Sequence, residues 1–255
     1  MSPAQIVRKS FAGLLAIAMA ASIFTACGKK DENNGQGSDN EKKEEKTEKK
    51  TDAGREDFIR GKAALETKDY KTAITHLMLA ADQGNTDAMI ELAKCYERRA
   101  GVERNEKESV KWMRKAAENG SAEAQLMMAE AYAEGDFGIQ RDPDMCLEWL
   151  IKAAENKSDS EYVAEAQMRL AEYYIDIEED EQEAMKWLRR AAENKTDSYY
   201  SSEAQIGLGK AYEHGEDVKK DINEAIKWYR KAANNKGDSS NAKEAREALK
   251  RLGAE

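Results

Sequence analysis

Five times between Asp69 and Ala233 the chain sets down an Asp or Asn, a small residue four places on, a large side chain seven places on, and an Ala-Ala pair at eleven and twelve. The copies are Asp69/Ala73/His76/Ala80-Ala81, Asn105/Ser109/Trp112/Ala116-Ala117, Asp142/Cys146/Trp149/Ala153-Ala154, Asp180/Ala184/Trp187/Ala191-Ala192 and Asp221/Ala225/Trp228/Ala232-Ala233. Places four, seven and eleven share one face of an α-helix, so each copy predicts a helix with a narrow packing edge. Small residues on that edge let backbones approach, and the large side chain fills the gap between neighbours. A chain repeated this strictly needs no single deep core, because each unit buries its face against the next. With 36% charged residues and only two prolines, the composition suits exposed helices.

A second pattern alternates with the first. Ala88 to Tyr96, Ala124 to Tyr132, Ala166 to Tyr174 and Ala204 to Tyr212 place apolar residues at the first, third, fifth and ninth positions and Ala or Gly at the sixth. This is again helical spacing. We designate these segments helix A and the first set helix B. Helix B starts for a stated reason: Asn105 with Glu108, Asp180 with Glu183 and Asp221 with Glu224 resemble capping boxes, and Asp142 precedes Pro143 at the first helical position.

The combination of A-x-h-x-L-[AG]-x-x-Y, a glycine-bearing loop such as that from Tyr132 to Asp142, and W-[LMY]-x-[KR]-A-A-E-N resembles the Sel-one-like repeat, a relative of the tetratricopeptide repeat found in bacterial lipoproteins. The resemblance implies an all-α fold: a right-handed α-solenoid of about five helix-turn-helix repeats and a C-terminal capping helix. The first repeat, from Phe58 through Gly84, has His76 where the others have Trp, and a core role is expected for it. Ala245 to Leu252 repeats helix A alone, as a capping helix would. The domains expected are a lipoprotein signal peptide at 1–26, a lipidated Cys27 with a charged tether over 27–55, and the repeat array over 56–255.

From the Ala-Ala pair to the next helix A, the last three connections are five residues longer than the first two. The additions begin Asn156-Lys157-Ser158-Asp159, Asn194-Lys195-Thr196-Asp197 and Asn235-Lys236-Gly237-Asp238, each followed by Ser. They read as a polar loop plus a helix A lengthened by about a turn, or alternatively as a periodic binding edge built from the Asn, Lys and Asp of each copy.

The N-terminus reads as an address. Arg8 and Lys9 precede an apolar run from Phe11 to Phe24, and Phe24-Thr25-Ala26-Cys27 resembles a lipobox in which Cys27 becomes the lipidated first residue. Residues 28–55 hold eight basic and eight acidic residues and almost nothing apolar, a composition that does not bury enough surface to fold. The expected address is the bacterial cell envelope, lipid-anchored, at the outer membrane, with Lys30-Asp31-Glu32 resembling a surface-export tag. A formal charge of -9 disfavours nucleic acid as a partner. Cys95 and Cys146 sit in apolar helical patterns and read as small buried side chains, not as a disulfide framework.

No catalytic constellation, cofactor loop or metal set is expected. His76 and His214 lie in different repeats, and no pairing with a nucleophile can be argued for either. Asp176, Glu178 and Asp180 begin a calcium-loop pattern, but Glu181 stands where the turn glycine belongs and Trp187 where the bidentate carboxylate belongs. What remains is a surface. In tetratricopeptide-like arrays helix A lines the concave face, and the outward stripe here runs through Glu91, Lys94, Arg98, Met127, Glu130, Arg169, Glu172 and Lys210, with Glu134, Asp176, Gly207 and His214 beside them. Its sign changes from repeat to repeat, which suits an envelope protein or peptide of complementary charge or, equally, an ordinary solvated face. The function expected is a membrane-tethered, non-enzymatic scaffold. The alternatives are a glycan- or nutrient-binding lipoprotein working with an outer-membrane transporter, for which Tyr199 and Tyr200 could stack a sugar, and a hydrolase like a cysteine-rich branch of the family whose paired cysteines this chain lacks.

Overall fold

The computed structural model describes residues 54–158, 160–177, 179–196, 198–215, 218–235 and 239–254. All regular structure among these is α-helix: α1 (54–66), α2 (Tyr70–Asp82), α3 (Thr86–Arg98), α4 (Glu106–Glu118), α5 (Ala122–Glu134), α6 (Pro143–Ala154), α7 (Glu161–Asp176), α8 (Glu181–Glu193), α9 (Tyr199–His214), α10 (Ile222–Ala233) and α11 (Ser239–Arg251). Successive helices alternate A and B types, and α11 is the extra A-type helix at the end, as the repeat pattern requires. Two compact units divide between Ala124 and Gln125, and each is described by itself. Cys27, Asp159, Glu178, Asp197, Lys236 and Asp238 lie outside the described residues.

In the N-terminal unit, Asp69, Asn85 and Asn105 cap α2, α3 and α4, accepting from the amides of Thr72, Ala88 and Glu108. Each such cap contributes about 1 kcal/mol. Behind the caps Ala73, Leu77, Ala80, Ala81, Ile90, Leu92, Ala116 and Ala117 are buried. The place-four residue of α4 is a serine, and its hydroxyl donates to the Ala93 carbonyl at 2.9 Å, so a polar atom is buried there without loss. Helix α1 begins at 54 and thus takes in Gly54 and Arg55, which the composition alone assigns to the tether. Gly54 is buried, and its carbonyl accepts from Asn85 Nδ2 at 3.5 Å.

His76 does not take the core role its alignment with Trp suggests. It is half-buried, with Nδ1 2.9 Å from Asp57 Oδ1, and Asp57 also accepts from Gln83. An imidazole is too small and too polar to fill a tryptophan's gap, so it turns to a carboxylate on the neighbouring helix.

In the C-terminal unit the same grammar recurs with longer A helices. Helices α7 and α9 each run 16 residues, against 13 for α3 and α5, and Ser160 and Ser198 cap them. The added residues therefore make a loop and an extra turn of helix. Trp149, Trp187 and Trp228 are buried with their Ala-Ala pairs. In α10 the place after Trp holds Tyr229, a larger residue than the Met113, Leu150 or Leu188 of other repeats, and it is fully buried. Space for it comes from Gly209 in α9, where a Cβ would lie 2.5 Å from the Tyr229 ring. A helical glycine costs about 1 kcal/mol against alanine, less than forcing that clash.

The expected capping boxes are half right. The Asp or Asn accepts the N3 amide as predicted, but the glutamates of Glu108 and Glu183 reach forward to Lys111 and Lys186, at 3.2 and 2.5 Å, and Glu224 likewise pairs with Lys227. A reciprocal box forms instead at Ser198 and Ser201.

Candidate functional site: the helix A stripe

Each helix-A stripe is held at a fixed rotation by its own turn. In four repeats the amide of the helix-B cap donates back to the carbonyl of the helix-A tyrosine: Asn105 to Tyr96, Asp142 to Tyr132, Asp180 to Tyr174 and Asp221 to Tyr212, at 2.8 to 3.1 Å. At the other end the second place of the helix-A sequence pattern closes the preceding helix B. Gln167 and Gln205 donate to the Ala154 and Ala192 carbonyls, and Arg246 does the same to Ala233 in the capping helix, all at 2.9 Å.

With the helices so fixed, the stripe's charges meet one another. In the N-terminal unit Lys62 of α1 reaches Glu91 of α3 at 3.3 Å, Lys94 lies 3.7 Å from Glu91, and Lys94 reaches Glu123 of α5 at 3.2 Å. Arg98 remains exposed, 4.0 Å from Glu97. In the C-terminal unit Arg169 of α7 holds Glu130 of α5 and Glu165 of its own helix, both at 2.7 Å, and Tyr200 of α9 hydrogen-bonds Glu165. Lys210 of α9 pairs with Glu244 of α11 at 2.5 Å. The alternation of sign along the stripe is thus matched between neighbouring repeats of the chain itself. Met127 is half-buried, Asp176 and His214 are exposed, and His214 Nδ1 lies 2.9 Å from the Lys210 carbonyl.

Around α7 the match is uneven. Glu172 lies one turn beyond Arg169, and burial, then the carboxylate of Glu203 on α9, push its carboxyl up to about 8. Asp176 and Glu165 add to the rise while Arg169 opposes it. At the end of the unit Tyr229 donates to Glu213 at 2.7 Å, and Arg251 reaches both oxygens of that carboxylate at 2.7 Å. Burial would raise Glu213, yet these donors outweigh it and hold the carboxyl below its usual range.

The inserted loops use their asparagines internally. Asn156 accepts from the Ser158 amide and hydroxyl and donates to Gln125 at 2.9 Å. Asn194 accepts the same two bonds from Thr196 and donates to the Ser160 carbonyl at 3.4 Å, while Asn235 donates to the Ser198 carbonyl at 3.3 Å. Each loop is thereby tied to the repeat before it. Lys157 and Lys195 are exposed.

A feature that spacing could have revealed is the basic residue three places after each tryptophan. Lys115, Lys152, Arg190 and Lys231 lie 4.0 to 4.6 Å from the ring centroids of Trp112, Trp149, Trp187 and Trp228. Those cations lid the aromatic face, and the W-x-x-[KR] element of the repeat encodes them. Of the aromatic pair in α9, Tyr200 engages α7, whereas Tyr199 is 47% exposed and its hydroxyl reaches Glu203 at 3.3 Å.

For chemistry the described residues offer little reactive material. Cys95 and Cys146 are free and buried, and burial pushes both thiols up to about 11, which makes them poor nucleophiles at neutral pH. Asp180 serves as the α8 cap, accepting from the Glu183 amide. Among the described residues no group of three or more His, Cys, Asp or Glu is placed to hold a metal ion, and no helix is long and apolar enough to cross a membrane.

The sequence profile of the Sel1 repeat matches residues 60–85, 86–121, 122–158, 164–195 and 202–236. Among solved structures the chain is similar to a Sel1 repeat protein from Oxalobacter formigenes, with 29% identity and a TM-score of 0.57, over 72% of this chain and 49% of that one. It is also similar to a protective antigen present in uropathogenic Escherichia coli strains, with 31% identity and a TM-score of 0.47, over 64% of this chain and 33% of the other. The chain therefore spans half or less of the length of these two relatives. No curated protein matches it.

Proposed function

Because the chain belongs to the Sel1 repeat family, whose members are generally non-enzymatic scaffolds for protein–protein interaction, we propose that it captures a protein or peptide partner at the bacterial cell envelope. In this reading Cys27 carries a lipid that ties the chain to the membrane, and the repeats hold the partner there. The observation that carries the reading is the helix-A stripe: successive A helices, each fixed in rotation by its tyrosine carbonyl, present polar side chains from one repeat to the next. The ion pairs within the stripe set its shape. Arg98 and His214, exposed on the stripe, are assigned to the partner contact.

The test is crosslinking in intact envelopes followed by recovery of the full chain, comparing the wild type with Arg98→Glu/His214→Glu. Partner recovery should fall at least tenfold in the double variant while far-ultraviolet dichroism is unchanged. Equal recovery would remove the stripe as the contact surface. Metabolic labelling with a palmitate analogue, lost in Cys27→Ser, tests the anchor separately, and protease shaving of whole cells distinguishes the surface from the periplasmic face.

A further inference from the structure

The last two B helices carry cations that answer to no carboxylate. Places nine and ten of the repeat hold Met78 and Leu79 in α2, Arg114 and Lys115 in α4, Ile151 and Lys152 in α6, Arg189 and Arg190 in α8, and Arg230 and Lys231 in α10. Lys152 is held by Glu148 at 2.6 Å, and Lys115 is half-buried. Arg189, Arg190, Arg230 and Lys231 are all exposed, and none forms an ion pair among the described residues. Arg189 donates to the Tyr212 hydroxyl at 2.6 Å and Arg230 to the Ala254 carbonyl at 3.2 Å, both neutral acceptors, while Arg190 and Lys231 cover tryptophan rings. Tyr212 and Ala254 pack against one buried cluster that includes Ile206, Tyr229 and Leu249, so both pairs are tied to the same packed body. One turn earlier Lys186 and Lys227 are neutralised by Glu183 and Glu224. Glu193 is exposed at the end of α8, where α10 has Asn234. From Ile222 to Arg251 there are eight basic and four acidic residues, in a chain whose formal charge is -9.

We propose that Arg189, Arg190, Arg230 and Lys231 form a docking ridge for the anionic headgroups of a lipid surface. A polypeptide partner needs an aromatic or aliphatic anchor to bury. The exposed large hydrophobic side chains among the described residues are Ile59, Met78, Leu79 and Tyr199, and none of them lies on α8 or α10. A ridge of charge without such an anchor matches lipid phosphates, which attract basic side chains through their surface potential. A guanidinium presents a fork of N–H donors that fits two phosphate oxygens. Arg189 and Arg230 each commit one terminal nitrogen to a neutral acceptor and keep the other donors.

Each basic residue held at an anionic surface raises partition roughly fivefold, so four of them supply on the order of several hundredfold. That is weak for a freely diffusing acidic protein and ample to orient one already tethered. The orienting role rests on the lipid-anchored reading of Cys27; the headgroup contact does not. Helices α7, α9 and α11 form a packed row of their own, with α8 and α10 against it. Docking through the B helices therefore leaves the A helices, with their stripe, available to a partner.

Vesicle sedimentation tests this with the full chain carrying Cys27→Ser, so that no acyl chain contributes and a failure of the anchor stays separate. Vesicles of phosphatidylcholine and phosphatidylglycerol in equal parts should take up at least about tenfold more protein at low salt than phosphatidylcholine alone. That excess should vanish in about 1 M salt. Arg189→Gln/Arg230→Gln should lower partition into the anionic vesicles by about twenty-five-fold. Lys71→Gln/Lys107→Gln removes the same charge from exposed sites of the N-terminal unit and should lower it less than about threefold. Should the first variant lose its helical dichroism, Arg190→Gln/Lys231→Gln takes its place with the same expected loss. Equal sedimentation with both vesicle types, or equal losses in the two units, would overturn the headgroup site. Binding to polyglutamate without binding to anionic vesicles would overturn it in favour of an acidic polypeptide.

Discussion

The two units use one device in two conditions. In the N-terminal unit the stripe is balanced: Lys62 and Lys94 face Glu91 and Glu123, and each carboxylate lies within 3.7 Å of a cation. Around α7 in the C-terminal unit Arg169 serves Glu130 and Glu165 while Glu172 and Glu203 stand close by. A balanced row of half-exposed pairs adds modest, salt-sensitive stability. The cluster around α7 concentrates its ion pairs on one half-buried side chain, Arg169. The same repeat grammar thus yields ion pairs spread over two cations in one place and gathered on one in the other.

The largest effect expected from that contrast is the loss of Arg169. Replacing it with Met keeps the aliphatic stem but leaves the Glu130 and Glu165 carboxylates unanswered beside Glu172 and Glu203. Urea denaturation followed by circular dichroism should show a loss of about 3 kcal/mol at pH 8, and less at pH 5, where Glu172, whose carboxyl is pushed up to about 8, is neutral. A loss below about 1 kcal/mol, the range of an exposed pair, would mean that the cluster is effectively solvated and the two units do not differ.

Much of this fold is legible in the sequence because its determinants are local. An Asp or Asn that caps, a Pro at the first turn of α6, an Ala-Ala pair and a Trp at fixed offsets specify each helix within thirteen residues. The longer A helices α7 and α9 follow directly from the five added residues, and the buried Cys95 and Cys146 from their apolar setting. What escaped were relations between repeats. Whether Arg169 on the stripe is offered to a partner or spent on Glu130, 39 positions earlier, depends on how closely A helices approach, and periodicity carries no distance. The same holds for Asn194, which reads as an exposed loop residue until Ser160 is brought beside it. His76 departs from its expected core role because alignment with Trp places a residue without saying what a smaller, polar ring does there. The cations over the tryptophans were present in the repeat signature, yet a basic residue in a helix is usually solvent-facing, and only the i, i+3 geometry turns it onto the ring.

The loops extend the contrast at intermediate scale. Asn194→Ala removes two bonds from Thr196 and the tie to the Ser160 carbonyl, and should cost about 1–2 kcal/mol in thermal unfolding. Asn119 ends the short connection in the N-terminal unit, and its side chain returns only to the Lys115 carbonyl of its own helix at 2.7 Å. Asn119→Ala should cost about 0.5 kcal/mol. Equal losses would show that the tie between loops contributes nothing and that the inserted residues are free to serve as a surface.

The smallest effect should come from the balanced row. Lys94 and Glu123 are 30% and 25% exposed, so their attraction is partly screened by water and partly offset by the cost of holding a lysine in place. A double-mutant cycle with Lys94→Gln and Glu123→Gln should give a coupling of about 0.5–1 kcal/mol. In about 1 M salt, where the Debye length is roughly 3 Å, that coupling should fall close to zero. The matching cycle between Arg169 and Glu130 should retain most of its value, because the guanidinium is 18% exposed and ions reach it poorly. Salt thus separates the two joints without touching the repeat backbone, and equal sensitivity in both would leave the uneven chemistry around α7 without energetic consequence.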